Sequence, residues 1–136
     1  MITAVHTLIY SDDAPATRAF FRDVLDLPFV NDGGEGDDPQ GWLIFQTGPS
    51  ELGVHPTQGE YDGETFTAPR HHQVSLMVDD IEEAVTTIRE RGGAPRGVPQ
   101  DLGFGTGVEV DVPGADPILV YQPRHATIAL HPAAQA

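Results

Sequence analysis

Two stretches of the chain repeat the same pattern of apolar and polar residues. Each begins with alternating apolar and polar positions, passes through an Asp-Asp pair and continues with apolar residues at helical spacing. The copies cover residues 6–27 and 73–93, and His6 precedes Asp13 by the same seven residues that separate Gln73 from Asp80. The pattern therefore predicts a duplicated strand-helix unit that carries a polar residue at the same position of both strands.

The first half of the chain predicts one helix and four strands. A strand at about residues 2–10 leads to Asp12 or Asp13, either of which can cap a helix that Pro28 stops. Further strands are expected at residues 29–30, 42–47 and 51–55, with a Gly- and Asp-rich loop over residues 31–40. The order of elements in this half is therefore strand, helix, strand, strand, strand.

The second half predicts the same order. A strand over residues 70–78 precedes a helix that begins at Asp80, with Glu83 in a capping-box position, and ends at Gly92 and Gly93. Strands are expected near residues 95–98, 105–112 and 117–122. We therefore expect one domain over residues 1–123, with a first module at about 2–56, a linker at 57–69 and a second module at about 70–123, followed by a C-terminal tail at 124–136.

The fold class expected from these elements is α+β, built from two tandem βαβββ modules. One module cannot bury both faces of its sheet, so the two should form a curved mixed sheet around a concave pocket, with the helices on the outer face. Strand alternation divides the side chains between the two faces. The uniformly apolar set, expected to face the helices, is Val5, Ile9, Leu52, Val54, Val74, Leu76, Val78, Ile118 and Val120. The set expected to line the pocket is His6, Glu51, His55, His71, Gln73 and Tyr121, with Leu8, Met77 and Leu119 between them.

The amino-acid composition and charge limit the kinds of partner that this chain can have. The chain has 136 residues, 39% of them hydrophobic, which suits one globular domain. Its 21 acidic residues outnumber 7 basic ones, all of them Arg, and a net charge of −14 disfavours nucleic acid and anionic membranes as partners. The lack of cysteine excludes disulfides and thiolate sites, and the lack of a signal sequence or a long apolar run favours a cytoplasmic protein.

Five segments carry a resemblance to a known family. They are residues 6–13 (HTLIYSDD), 19–28 (AFFRDVLDLP), 78–84 (VDDIEEA), 88–93 (IRERGG) and 111–121 (DVPGADPILVY). In these segments the chain resembles the vicinal oxygen chelate superfamily, which includes glyoxalase I, extradiol dioxygenases, fosfomycin-resistance transferases and bleomycin-binding proteins. The resemblance covers residues 2–123, and one small departure is Asp26, which stands where the family usually has Gly.

The resemblance also implies where a metal would bind in metal-using members, which take one ligand from each of four strands. Two of these positions fall on His6 and Gln73, and the two acidic positions fall on Gly53 and Leu119, neither of which can bind a metal. Two neutral ligands without a carboxylate make a poor divalent-metal site, so no cofactor is favoured. If Ni, Fe, Mn or Zn does bind, the ligands should be His6 and Gln73 with Glu51, or with His55 in its place.

The leading hypothesis is a protein that binds a small organic molecule, neutral or cationic, in the concave pocket without the standard metal centre. The drug-sequestering, antibiotic-resistance branch of the resembled superfamily works in this way, and the resemblance also implies a homodimer. The expected ligand contacts are His6, His55, Gln73 and Tyr121, with Trp42 and Phe104 as stacking walls. No catalytic residue is assigned. Two alternatives stay open: a divalent-metal-dependent lyase, isomerase or dioxygenase of the glyoxalase type, and a non-catalytic interaction or regulatory module.

Overall fold

The computed structural model describes residues 6–31, 36 and 38–126. Within this part of the chain, residues 6–48 and 74–126 form one compact unit, and Pro49–Gln73 belong to a second. The predicted tail lies outside the described residues from position 127 onward.

The secondary structure follows a mixed α+β order, as predicted. Helix α1 spans Ala14–Ala19 and continues as a π-helical segment over Phe20–Val24, and helix α2 spans Ile81–Glu90. The strands are β1 (Phe29–Asn31), β2 (Leu43–Phe45), β3 (Gln58–Tyr61), β4 (Glu64–Thr67), β5 (Ser75–Met77), β6 (Ala94–Pro95), β7 (Gln100–Asp101), β8 (Gly105–Val112) and β9 (Ala115–Pro123). In the described residues, no helix is long and apolar enough to cross a membrane.

Both helices begin at the aspartates that the sequence indicated. A side-chain oxygen of Asp13 accepts a hydrogen bond from the Ala16 N–H, and Asp80 accepts one from the Glu83 N–H at 3.1 Å. These contacts satisfy N–H groups that have no partner within the first helical turn. Helix α2 ends before Gly92, whose φ of 87° favours glycine.

A five-stranded mixed sheet forms the centre of the first unit. Strand β5 pairs in parallel with β9, β9 pairs antiparallel with β8, and β8 pairs antiparallel with both β6 and β7. Along the chain the second half runs strand, helix and then four strands, because two short strands, β6 and β7, stand where the sequence predicted one strand near residues 95–98. Strand β8 matches its predicted range because valines alternate with acidic residues along it, and β9 includes the range predicted for the last strand.

The core of this unit lies between the sheet and the helical segments. Val110 and Val120 are its most deeply buried residues. The other buried members are Phe20, Phe21, Ile81, Val85, Ile88, Val108, Val112 and Ile118. Val74, Leu76 and Val78 pack against this cluster, so the predicted helix-facing side of the second half is confirmed.

The first half matches the prediction only in part. Residues 6–10 and 51–55 form no strand, and β5 covers only three residues of the range predicted over 70–78. Leu52 and Val54, expected to face a helix, are 94% and 95% exposed. The physical reason is that alternation buries one side of a strand only when a neighbouring strand pairs with it and a helix covers it. The strands predicted at residues 29–30 and 42–47 do form, as β1 and β2, and they pair in antiparallel register.

The second unit contains a hairpin within residues 57–69, the range predicted to be a linker. Strands β3 and β4 pair antiparallel, with Tyr61 opposite Glu64. The turn consists of Asp62 and Gly63, with φ values of 52° and 80°. An Asp-Gly pair between two strands is a strong hairpin signal, and it marks this turn in the sequence.

Candidate functional site

The face of the five-stranded sheet opposite the core carries the predicted pocket side chains of the second half. Since Val108, Val120 and their alternating neighbours point into the core, Leu119 and Tyr121 point to the other side. Tyr121 lies between Met77 on β5 and Gly107 on β8, and Leu119 lies between Ser75 and Glu109. We call this side the open face.

Two of the predicted contacts meet on the open face. The rings of Phe104 and Tyr121 pack edge to face, with centroids 5.4 Å apart and an interplanar angle of 78°. Phe104 remains 54% exposed, whereas Tyr121 is partly buried. The exposed ring of Phe104 is available to a further apolar or cationic group.

Glycine provides the surface beneath Tyr121. A Cβ on Gly107 would lie 2.7 Å from the Cβ of Tyr121 and 2.8 Å from the carbonyl oxygen of Val120. A Cβ on Gly105 would meet the Gln122 carbonyl oxygen and, at 3.0 Å, the Tyr121 ring. No other residue fits at these two positions without moving the tyrosine or the strand. The alternating glycines of residues 103–107 are therefore a structural requirement of this aromatic site.

The loop that carries Phe104 is anchored at both ends. Nη2 of Arg124 lies 2.8 Å from Oδ2 of Asp101, and Nη1 of Arg124 donates to the Gly103 carbonyl oxygen at 2.8 Å. The other carboxylate oxygen of Asp101 accepts from the Gly103 N–H at 2.8 Å. The hydrogen bond from Arg124, followed by that from Gly103, lowers the pKa of Asp101 below its ordinary value.

A second ion-pair group lies on the open face. Nε of Arg96 lies 2.5 Å from Oδ1 of Asp111, and Nη1 of Arg96 lies 3.7 Å from Oε2 of Glu109. All three side chains are about half exposed. The open face thus presents carboxylates whose charge one arginine partly balances.

Trp42 contacts a cation of its own chain. The guanidinium carbon of Arg18 lies 5.2 Å from the centre of the Trp42 ring, and Nη1 of Arg18 donates to the Pro39 carbonyl oxygen at 3.0 Å. One face of the tryptophan is therefore occupied by an internal cation–π contact. Trp42 is nevertheless about half exposed.

The remaining predicted contacts are exposed. His6 belongs to the first unit and lies outside any strand. In the second unit, Nδ1 of His55 donates to the Pro56 carbonyl oxygen at 2.7 Å, and the His55 ring packs at a centroid distance of 5.4 Å on Phe66. Gln73 is exposed and Glu51 is half-buried in the same unit. His71 is exposed and donates to the Pro69 carbonyl oxygen.

The donor chemistry of this chain does not fit the four-ligand metal centre that the resembled family implies. One of its two acidic positions is Leu119, an alkyl side chain on the open face, and the other is Gly53, which has no side chain. Within residues 6–31, 36 and 38–126, no three His, Asp or Glu side chains are grouped so that they could hold a metal ion.

A cleft also opens at the β8–β9 turn. It has a volume of about 430 Å³ and is lined by Tyr10, Asp12, Gly114, Ala115 and Asp116. None of the expected ligand contacts lines it. Because two of the expected contacts meet at the Phe104–Tyr121 pair, we place the candidate site there instead.

Both aromatic residues of this site were expected ligand contacts, whereas the ion pair that anchors the loop was not predicted. Phe104 and Tyr121 were indicated by a glycine-flanked loop and by strand alternation. Asp101 and Arg124 were not, because they are remote in sequence and meet only through the pairing of β7, β8 and β9. The glycine spacing of residues 103–107 marks a close backbone approach, but it does not identify the two charged partners.

Comparison with known proteins gives a family and a fold. The sequence matches the profile of the Glyoxalase/Bleomycin resistance protein/Dioxygenase superfamily over residues 3–127. A search of curated proteins found no match.

Among solved structures, the chain resembles TnmS3, an antibiotic binding protein from Streptomyces sp. CB03234, with a TM-score of 0.55 and 17% identity over 90% of this chain and 97% of that one. It also resembles a lactoylglutathione lyase from Agrobacterium tumefaciens, with a TM-score of 0.52 and 18% identity over 89% and 94% of the two chains. A superfamily member from Sphaerobacter thermophilus DSM 20745 gives a TM-score of 0.51 and 18% identity over 89% and 98%. At these identities the likeness is one of fold.

Proposed function

Because the chain belongs to the Glyoxalase/Bleomycin resistance protein/Dioxygenase superfamily, we propose that it binds a small organic molecule on the open face of its five-stranded sheet. The ligand is neutral or cationic and carries a planar or apolar group that packs on Phe104 and Tyr121. Binding alone, without a chemical step, is the proposed activity, and drug sequestration in the cytoplasm is the role it would serve.

The observation that carries the proposal is the Phe104–Tyr121 pair itself. The two ring centroids are 5.4 Å apart, and Phe104 is 54% exposed. Gly105 and Gly107 leave room for Tyr121 to lie close to strand β8. Small-molecule sites combine such apolar surface with a few polar groups. The net charge of −14 attracts cations, and the ring faces add cation–π attraction.

The superfamily fold accommodates both binding proteins and enzymes, as the antibiotic binding protein and the lactoylglutathione lyase illustrate. The residues at the implied metal-ligand positions support binding without a metal rather than metal-dependent catalysis. Leu119 and Gly53 offer no carboxylate where the resemblance implies one, so a divalent ion would lack its usual oxygen ligands. We therefore derive no metal-dependent step.

Titration with a planar aromatic cation tests the proposal. Proflavine added to the isotope-labelled protein should shift the NMR resonances of the Phe104 and Tyr121 rings, and its fluorescence anisotropy should rise with saturation. A Phe104→Ala variant should weaken this binding. The matched control is Tyr61→Ala, which removes an exposed aromatic ring from the hairpin. If neither proflavine nor a panel of neutral and cationic drugs perturbs the two rings, the proposed binding function is wrong.

Metal analysis separates the binding function from the metal-dependent alternative. Protein purified without chelators should contain no stoichiometric Ni, Fe, Mn or Zn. A stoichiometric metal that disappears in a His6→Ala variant would favour a lyase, isomerase or dioxygenase of the glyoxalase type over sequestration.

The other expected contacts stay predictions. His6, Trp42, His55 and Gln73 can each be replaced by alanine in the same titration, and a contact residue should lower the affinity for the probe. The homodimer implied by the family is likewise a prediction, which light scattering on the purified protein tests directly.

A further inference from the structure

We propose that Asp101 and Arg124 are positioning residues: their contacts hold the loop over residues 102–104 so that Phe104 stays edge-on against Tyr121. This inference rests on the proposed function, because it assigns the pair to the shape of the ligand site. Neither residue touches the ligand in this proposal, and both act through Phe104.

Arg124 contacts the loop at three points around Phe104. One guanidinium nitrogen binds the Asp101 carboxylate at 2.8 Å and the other donates to the Gly103 carbonyl oxygen at 2.8 Å. Its backbone N–H donates to the Phe104 carbonyl oxygen at 3.0 Å. Since guanidinium and carboxylate hydrogen bonds are directional, these contacts fix the loop backbone on both sides of Phe104.

Asp101 closes the loop from the other end. Its second oxygen accepts from the Gly103 N–H at 2.8 Å, and the Leu102 N–H donates to the Gly105 carbonyl oxygen at 2.8 Å. Asp101 ends β7, and Arg124 directly follows β9. The ion pair therefore joins the two strands that flank β8 at the end where the loop lies.

The loop needs this anchor because its sequence is permissive. Gly103 has a φ of 85°, and Phe104 is flanked by glycine on both sides, so the loop backbone has many conformations open to it. Both partners of the ion pair are more than half exposed. An exposed pair adds little to the stability of the whole fold, yet it is sufficient to choose among loop conformations of similar energy.

The nuclear Overhauser effect between the Phe104 and Tyr121 ring protons tests this positioning without any ligand. It should be strong in the wild-type protein and weak or absent in Asp101→Asn and Arg124→Gln. Arg124→Lys, which keeps the charge but not the two-pronged geometry, should restore only part of it. The matched control is Arg96→Gln, which breaks an equally exposed ion pair on the same sheet and should leave the ring contact intact.

The affinity for proflavine supplies the second measurement. Asp101→Asn and Arg124→Gln should each weaken binding by about two- to fivefold, and the double variant should weaken it no further, because both changes remove one anchor. A ring contact and an affinity that survive both single substitutions would overturn the positioning role. If the wild type does not bind the probe while the ring contact still depends on Asp101 and Arg124, the proposed function fails and the positioning of Phe104 stands.

Discussion

Gly114 lies so close to Ser11 that a Cβ at position 114 would stand 2.5 Å from the Ser11 Oγ. The same Cβ would lie 2.8 Å from the backbone nitrogen of Asp13. The approach is fixed by the Asp12 N–H, which donates to the Gly114 carbonyl oxygen at 2.8 Å. The turn between β8 and β9 is thereby joined to the residues that begin helix α1, and glycine is required by space as well as by its φ of 81°.

We expect Gly114→Ala to lower the free energy of unfolding by about 2–4 kcal/mol, because backbone strain and overpacking both contribute. Urea denaturation followed by circular dichroism measures the loss. The control is Gly97→Ala, at a φ of 84° with no atom within 4 Å of the added Cβ, which should cost only about 1–2 kcal/mol. Equal losses in the two variants would mean that the contact with Ser11 is not tight.

Removal of the cap of helix α2 should have a smaller effect. Asp80→Ala deletes the acceptor for the Glu83 N–H and should destabilise the protein by about 1 kcal/mol. Asp79→Ala, at the exposed neighbouring position, should change stability by less than about 0.5 kcal/mol. Thermal unfolding of both variants measures the difference, and a cost at Asp79 that matches the cost at Asp80 would contradict the cap.

The second half of the fold could be predicted from the sequence because its signals are local. Asp80 and Gly92 mark the two ends of a helix within one segment, and the alternation around Val108 and Val110 marks one buried side of a strand. Each signal depends on residues a few positions apart. The helix, the long strands and the helix-facing side chains of this half were therefore predicted correctly.

Part of the first half could not be predicted in the same way. Alternation at residues 51–55 shows which side chains would share a face, but it does not say whether another strand pairs there. In the structure Leu52 and Val54 are exposed, and the nearby strands form instead on either side of Asp62 and Gly63. Pairing between distant segments decides such cases, and a single sequence does not contain that information.

The candidate site also combines residues that local sequence signals predict with contacts that only strand pairing creates. Phe104 and Tyr121 were expected from a glycine-flanked loop and from strand alternation, whereas the contact of Asp101 with Arg124 depends on the register of three strands. The residues most easily predicted are those whose role follows from their neighbours in sequence.

Val110 offers a test of the core. It is fully buried, opposite Ile118 on β9, and Val110→Ala should lower the free energy of unfolding by about 1.5–3 kcal/mol through lost burial and the cavity left behind. Val98→Ala, at a position 64% exposed, should be close to neutral. Urea denaturation compares the two, and a small effect at Val110 would place the core elsewhere.

The anchor of the Phe104 loop should depend on pH in a defined direction. The hydrogen bonds from Arg124 and Gly103 hold the pKa of Asp101 below the ordinary value of 3.8. A carboxyl whose pKa is lower in the folded state than in the unfolded state stabilises the fold fully above the unfolded value, and this stabilisation is lost as the pH falls through the folded value. The stability advantage of the wild type over Asp101→Asn should therefore be constant near neutral pH and should shrink once the pH falls below about 4.

Urea denaturation of both proteins at a series of pH values measures this advantage, and added salt should reduce it because both partners are exposed.

Asp23→Asn is the control, because it removes a similar carboxylate–arginine contact outside the Phe104 loop. The hydrogen bond from Arg22 lowers the pKa of Asp23 as well, so its advantage should fade over the same acid range. Only the Asp101 substitution should also weaken the contact between the Phe104 and Tyr121 rings, because Asp23 lies in the π-helical segment after α1 and not in the loop. An advantage of the wild type over Asp101→Asn that grows as the pH falls would contradict an ionised Asp101 as the anchor.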